Sequence, residues 1–208
     1  MRKLWISILI AVSVSLSAQT RLDNPEMYIG ANLGVTESMA MFTPTVNQGL
    51  LMGFNGGIVF RYIAEKNVGM QAELNFSQRG WRETYGIYSK QLNYIELPFM
   101  THIYIGNKNR AFFNLGPKIS FLLSEKTLSN KTGSSTDVQH ITAVQHPFDY
   151  GLCAGLGILF NVNGKILQLD TRANYGLSDL FDNSKTDYFS KSNNFNLSVN
   201  LAWLFRVK

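Results

Sequence analysis

The stretch Phe148–Leu177, FDYGLCAGLGILFNVNGKILQLDTRANYGL, decides the fold of this chain. From Phe148 to Phe160 large apolar side chains alternate with small or polar ones, and the same alternation resumes at Leu167. Because successive side chains of a strand point to opposite faces, a period of two held this long predicts two strands. Asn163 and Gly164 between the arms predict a tight turn. Each arm is long enough for the ~9–11 residues with which a tilted strand crosses a bilayer, so we interpret the stretch as a membrane-spanning hairpin.

The same alternation predicts six further strands. They cover residues 27–36, 51–63, 68–77, 92–105, 111–121 and 195–205. The connections alternate between long loops, at 37–49, 78–90, 124–146 and 179–192, and short turns, at 64–67, 106–109 and 163–164. Short periplasmic turns and longer outer loops are typical of membrane barrels. The sequence therefore predicts an all-β chain, an eight-stranded antiparallel up-and-down transmembrane β-barrel with both termini on the periplasmic side.

The N-terminal segment Met1–Ala18 has the pattern of a signal peptide. Arg2 and Lys3 precede an apolar run that is shorter than the ~20 residues of a membrane helix, and small residues follow it. We expect export, cleavage and a barrel domain over residues 19–208, located in the cell outer membrane. Removal of the two cations lowers the formal net charge of +5 by two, to +3, which is too mild to indicate nucleic-acid binding. The single cysteine excludes an internal disulfide.

The alternation fits a soluble barrel as well as a membrane barrel, and the two differ in which face is apolar. On every predicted strand one face is a continuous row of large apolar residues, and the other is rich in Gly, Asn and Ser. A narrow eight-stranded interior has room for small and interlocking polar groups rather than for eight rows of Leu and Phe. We therefore expect the apolar face to meet lipid, with aromatic residues near both strand ends.

The inward face carries four residues of each charge sign. The predicted interior set is Arg61, Glu73, Glu96, Lys118, Asp149, Asp170, Arg172 and Arg206. Buried charges persist when they are paired and hydrogen-bonded. The turn at 106–109 places Glu96 almost opposite Lys118, and Asp170 lies two residues from Arg172 on one face, so both pairs are predicted to form. The set is interpreted as a structural, plugged interior rather than as a catalytic site.

No catalytic residue, cofactor site or metal site is predicted. His102 has no second inward histidine, so we interpret it as an interior hydrogen-bonded residue, and Cys153 as a packed thiol. His140 and His146 form at most a weak loop pair. The loop aromatics Trp81, Tyr85 and Tyr88 are interpreted as interfacial anchors, with ligand contact as the alternative.

Four short motifs resemble the PorT-like outer-membrane β-barrel proteins of the Bacteroidetes, often labelled porin family. They are Tyr94-Ile95-Glu96-Leu97-Pro98, Asn114-Leu115-Gly116-Pro117, Phe148-Asp149-Tyr150-Gly151 and Tyr175-Gly176-Leu177-Ser178-Asp179-Leu180. The resemblance covers almost the whole chain after the signal peptide. It implies an integral outer-membrane barrel that is exported by the general secretory route and folded by the barrel-assembly machinery. It also implies a connection to type IX secretion, since the family's namesake is tied to that system.

The leading hypothesis is a non-enzymatic structural or interaction barrel that acts through its outer loops. Its expected partners are outer-membrane lipid, the barrel-assembly machinery, and secretion components or extracellular ligands at the loops; nucleic acid is not expected. A narrow porin-like diffusion channel for small solutes is the alternative. A third hypothesis, an outer-leaflet lipid-modifying enzyme, lacks a nucleophile with a base or a carboxylate pair at the rim.

Overall fold

The structure is a computed structural model that describes residues 21–43, 45, 47–83, 88–130, 143–181 and 190–207. The predicted signal peptide therefore lies outside the described residues. Nine strands form in the described ranges: β1 Arg21–Thr43, β2 Gln48–Gly49, β3 Leu51–Glu65, β4 Val68–Glu83, β5 Tyr88–Gly106, β6 Asn109–Asn130, β7 Phe148–Val162, β8 Lys165–Asp179 and β9 Lys191–Arg206. In these ranges there is no helix long and apolar enough to cross a membrane.

The eight long strands form one closed antiparallel ring. Each long strand pairs with the next along the chain, from β1 with β3 to β8 with β9. The ring closes where β1 pairs with β9 in a continuous register, from Tyr28 opposite Arg206 to Thr43 opposite Lys191. The two-residue β2 pairs only with the end of β4. The predicted eight-stranded up-and-down barrel is confirmed, with β2 as a short addition.

Tight turns join the strands at one end of the barrel, here called the turn end. Between β7 and β8, Asn163 has a φ of 51° and Gly164 a φ of 79°. Two consecutive left-handed residues are what a two-residue hairpin requires, and Asn-Gly adopts that conformation readily. Asn67, with a φ of 72°, makes the corresponding turn between β3 and β4. The opposite end of the barrel is called the loop end.

The outer surface carries an apolar belt, as the alternation predicts. Large apolar side chains point outward on all eight long strands, and their exposed fractions run from 37 % at Phe160 to 74 % at Leu33. The buried positions between them are mostly polar, and they include Asn32, Asn114 and Asn200. This is the reverse of a soluble barrel, and it is the arrangement of a barrel whose outside meets lipid.

The strands extend further toward the loop end than the sequence predicts. Residues 37–43, 78–83, 88–90 and 124–130 were predicted as loop and instead belong to strands. On β4 and β5 the alternation continues there with its polarity reversed. Trp81 and Leu92 point inward and are fully buried, while Arg82 is exposed. Beyond the apolar belt the outer surface of the barrel faces water, so polar residues point outward and apolar residues inward. A prediction that searches for outward rows of apolar residues therefore misses these segments.

Candidate functional site in the barrel interior

The charged residues of the interior form two clusters at different heights. The lower cluster, nearer the turn end, is Arg61, Glu73, Asp170 and Arg172. The upper cluster, nearer the loop end, is Arg79, Glu96, Lys118 and Asp149. All eight are buried, and each cluster contains two cations and two anions. Because a buried charge is costly unless it is paired, the equal numbers within each cluster are what a closed interior requires.

In the lower cluster a single arginine joins two carboxylates from different strands. Arg172 on β8 donates from Nη1 to Glu73 Oε2 on β4 at 2.7 Å and from Nη2 to Glu73 Oε1 at 3.1 Å. Its Nη2 also lies 3.3 Å from Asp170 Oδ1, so the predicted Asp170–Arg172 pair forms. Asn32, Gln71 and Asn75 donate to Glu73. The two-point contact between Arg172 and Glu73 fixes the distance between β8 and β4 across the barrel.

Arg61 is the cation of the lower cluster that contacts no carboxylate among the described residues. Its Nε donates to Gln71 Oε1 at 2.9 Å, and its Nη2 donates to Gln71 and to Gln168 on β8. Gln168 in turn donates to Asp170 Oδ2 at 2.6 Å. Two glutamines therefore link the Arg61 guanidinium to the carboxylates of the cluster.

The upper cluster contains the predicted Glu96–Lys118 pair, at 3.4 Å. Its centre is a residue that the sequence analysis missed. Arg79 Nη2 lies 2.8 Å from Glu96 Oε1, and Arg79 Nη1 donates to Asp149 Oδ2 at 2.8 Å. The Arg79 guanidinium carbon also lies 4.0 Å from the centroid of the Tyr94 ring. Arg79 falls in the segment that was assigned to a loop, and its inward position follows once the alternation is continued past Ser77.

Arg206 was predicted in the interior set, and the structure corrects this. Its side chain is 48 % exposed and lies at the turn end, where Nη1 is 4.0 Å from Glu26 Oε1. Arg206 is the last residue of β9, so it extends past the end of the barrel where no opposite wall encloses it. The other seven predicted interior residues are buried. With Arg79 in place of Arg206, the balance of four cations and four anions is kept.

Buried apolar residues close the interior at the turn end. This turn-end cap consists of Tyr28, Val59, Ile63, Tyr104, Phe112, Leu159, Ile166 and Leu204. The inward position of Leu159 breaks the polar row of β7, and in the structure it is 2 % exposed within this cap. Inward apolar residues that interrupt the polar rows of single strands thus pack together in one layer at the turn end of the barrel.

A second apolar cap closes the loop end. This loop-end cap consists of Ala40, Phe42, Trp81, Tyr88, Leu92, Tyr94, Leu180 and Phe181. Phe42 packs edge-on against Trp81 at a centroid distance of 5.5 Å. Trp81 and Tyr88, predicted as interfacial anchors, are instead fully buried in the barrel mouth; Tyr85 lies outside the described residues. Leu180 and Phe181 enter the cap from the chain after β8, where both backbone amides donate to Ser192 Oγ.

Between the caps there is little space. A cavity of ≈ 10 Å³ lies beside Asn75, Glu96, Arg172 and Asn196. That volume holds about one water molecule. In the described part of the chain, the inward polar side chains are thus packed against one another.

The histidine and the cysteine of the interior are held by packing and hydrogen bonds. His102 Nδ1 lies 2.7 Å from Asn114 Oδ1, and the ring packs on Tyr104 and Phe112. Cys153 is buried with Sγ 3.5 Å from Met100 Sδ. Within the described ranges no three His, Cys, Asp or Glu residues are grouped to hold a metal ion. His140 lies outside those ranges.

The pairing between β7 and β8 is interrupted near the loop end. Their backbone pairing reaches only to Gly151 opposite Gly176. Above this point, in what we call the seam, Ser178 Oγ donates to Asp149 Oδ1 at 2.5 Å and accepts from the Tyr150 amide at 3.3 Å. A pocket of ≈ 390 Å³ opens on the outer side of the seam beside Phe148 and Phe181. Through Asp149, the side chain that bridges the seam is connected to Arg79 in the upper cluster.

A closed ring of membrane-length strands that is apolar outside and polar inside defines an integral outer-membrane β-barrel protein. Comparison with protein families gives the same result from the sequence. The chain belongs to the outer membrane protein beta-barrel domain family, which it matches over residues 17–182. A comparison with curated protein sequences found no match.

Several solved structures align with most of this chain. AlkL, an outer membrane protein determined by solid-state NMR in DMPC lipid bilayers, aligns with a TM-score of 0.50 at 9 % identity, over 89 % of this chain and 91 % of that chain. Ail, the attachment invasion locus protein of Yersinia pestis, aligns with a TM-score of 0.46 at 16 % identity, over 86 % of this chain and 99 % of that one. Neisserial surface protein A aligns with a TM-score of 0.45 at 12 % identity, over 86 % and 98 %. At these identities the similarity concerns the fold.

Proposed function

We propose that this outer-membrane barrel is a non-conducting, non-enzymatic structural or interaction protein that presents its loop end to partners. The observation that carries the proposal is the closed interior: two apolar caps enclose two neutral charge clusters, and the cavity between them holds about one water. A diffusion channel for small solutes needs a continuous polar path, and the caps interrupt such a path at both ends.

The loop end is the part of the barrel with the most surface beyond the apolar belt. The extensions of β1, β4, β5 and β6 form a rigid wall there rather than free loops. Partners at this end are extracellular ligands or secretion components. The narrower PorT-like assignment and its connection to type IX secretion belong to this proposal, as do export by a signal peptide and folding by the barrel-assembly machinery.

Single-channel recording in planar bilayers tests the closed interior. We expect the purified protein to show no steady openings above the background of protein-free bilayers, in the same preparation in which a known porin conducts. Truncation of the loop-end cap by the double substitution Trp81→Ala and Phe181→Ala serves as the matched variant, because it removes two fully buried rings. The turn-end cap remains, so this variant is also expected to stay closed. Steady openings of the unmodified protein would establish the channel alternative instead.

A further inference from the structure

Glu37 is a carboxylate on the lipid-facing surface that has no partner among the described residues. Glu37 points outward from β1 and is exposed. Its neighbours on the same face of β1 are Val35 and Met39, and its cross-strand partners are Met52 on β3 and Leu197 on β9. No hydrogen bond or ion pair joins Glu37 to any described residue. A charge among four apolar neighbours is unfavourable unless a cation approaches it.

The height of Glu37 on the belt makes its charge tolerable. The next outward residue toward the loop end is Met39, which is paired with Phe195, one of the aromatic residues near the edge of the belt. Glu37 lies nine positions along β1 from Tyr28, which is at the turn end, and this is about the length with which a tilted strand crosses the hydrocarbon. Glu37 therefore lies near the boundary between hydrocarbon and head groups, where the cost of an acidic side chain is lowest.

A groove begins at Glu37 and crosses the outer surface. It has a volume of ≈ 690 Å³ and runs over β9, β8 and β7 as far as Phe113 on β6. Small side chains leave the depression: Ala154 on β7 is paired directly with Ala173 on β8. Larger residues, among them Leu156 and Leu197, border it.

The two ends of the groove lie at different depths in the membrane. Phe113 is four residues after the start of β6 at the turn end, whereas Glu37 lies near the loop-end edge of the belt. The groove thus runs from head-group level into the hydrocarbon, which is the path of a membrane lipid with its head group at the surface and an acyl chain below.

We propose that Glu37 and this groove bind an outer-leaflet membrane lipid whose head group carries a primary ammonium, for which phosphatidylethanolamine is the test probe. The ammonium donates to the Glu37 carboxylate, and one acyl chain lies over Ala154 and Ala173. An anionic lipid would place like charges together. A second copy of the chain in a two-fold interface centred on this surface would bring two Glu37 carboxylates together. The proposal requires only that the belt lies in a bilayer, so it stands independently of whether the barrel conducts.

Native mass spectrometry of the detergent-solubilised protein, titrated with single lipids, tests this site. We expect phosphatidylethanolamine to remain bound roughly fivefold more than phosphatidylglycerol of the same acyl chains, the ratio that corresponds to one partly solvated ion pair. Glu37→Gln should remove this preference. Glu65→Gln, which removes a carboxylate at the turn of β3 outside the groove, should keep it.

A second pair of variants tests the groove separately from the charge. Ala173→Leu fills the depression and should reduce retention of both lipids, whereas Ala111→Leu, on the same surface but outside the groove, should not. Equal retention of the two lipids by the unmodified protein would overturn the proposal, as would a preference that survives Glu37→Gln. A lipid-free dimer that Glu37→Gln strengthens would identify a second copy as the occupant and would also overturn the proposal. If Ala173→Leu fails to fold, the comparison of the two lipids on the unmodified protein and on Glu37→Gln still tests the proposal.

Discussion

Arg79 is the residue on which the upper cluster depends. It contacts Glu96 and Asp149 on two different strands, each at 2.8 Å, while Lys118 contacts one carboxylate of the described chain, Glu96, at 3.4 Å. Removal of Arg79 would leave Asp149 buried with a serine hydroxyl as its remaining hydrogen-bond donor. A buried charge that loses its partner is more costly than a pair that was never present.

We expect Arg79→Met to lower the free energy of unfolding by about 3–5 kcal/mol, the usual cost of removing one partner of a buried ion pair. Arg206→Met is the matched control. Because Arg206 is half exposed and its contact with Glu26 spans 4.0 Å, its removal should change stability by no more than about 1 kcal/mol. Urea titration of tryptophan fluorescence in lipid vesicles measures both. Equal effects of the two substitutions would contradict the assignment of Arg79, rather than Arg206, to the interior.

At the scale of elements, the sequence predicts the strands whose outward side chains must be apolar because they face lipid. Outward rows of large apolar residues exist because lipid surrounds the belt, so the eight strands and their tight turns follow from alternation alone. The pair Glu96–Lys118 follows from the register of one hairpin. The strand extensions are harder to predict, since beyond the belt the outward rows become polar and the segment around Arg79 and Trp81 resembles a loop.

Contacts between side chains on opposite walls of the barrel cannot be predicted from the sequence pattern of single strands. Arg172 and Glu73 are 99 positions apart in the chain. Their contact depends on the curvature and tilt of the closed ring, which a single strand does not reveal. The caps escaped prediction for the same reason, since a single strand contributes at most three inward apolar residues to either cap.

The seam between β7 and β8 gives a prediction at this scale. Ser178→Ala removes the hydroxyl that joins Asp149 to the Tyr150 amide. We expect faster hydrogen exchange at Tyr150 and a loss of about 1–2 kcal/mol of stability, the cost of leaving one buried polar group unsatisfied. Hydrogen exchange followed by mass spectrometry or NMR measures the first effect.

Ser120→Ala is the control for the seam. Ser120 is paired with Asp149 from the other side, on β6, and its buried Oγ has no hydrogen-bond partner in the described structure. Its replacement by alanine should leave exchange at Tyr150 unchanged and stability equal or slightly higher. If the two variants behave alike, the seam is not held by Ser178.

For the whole molecule, the orientation in the membrane is testable with one chemical reagent. Cys153 is fully buried, so the unmodified protein should not react with a membrane-impermeant maleimide. We expect Lys126→Cys, exposed near the loop end, to be labelled on intact cells. Lys108→Cys, exposed in a turn, should be labelled only after the outer membrane is permeabilised, because short turns face the periplasm in such barrels. The opposite pattern would invert the orientation and move the proposed partner surface to the periplasm.

The pairing of β1 with β9 has a consequence for how this protein is made. These two strands lie at opposite ends of the described chain, and their register is continuous over sixteen residue pairs. Until β9 has been synthesised, β1 and β8 are both open edges, and an open sheet edge is not tolerated in hydrocarbon. Insertion is therefore all-or-none: a ribosome that stops before β9 leaves a chain with no stable place in the bilayer. A chain truncated before β9 therefore does not insert as a partial barrel, and even a truncation close to the C-terminus removes the whole protein from the membrane.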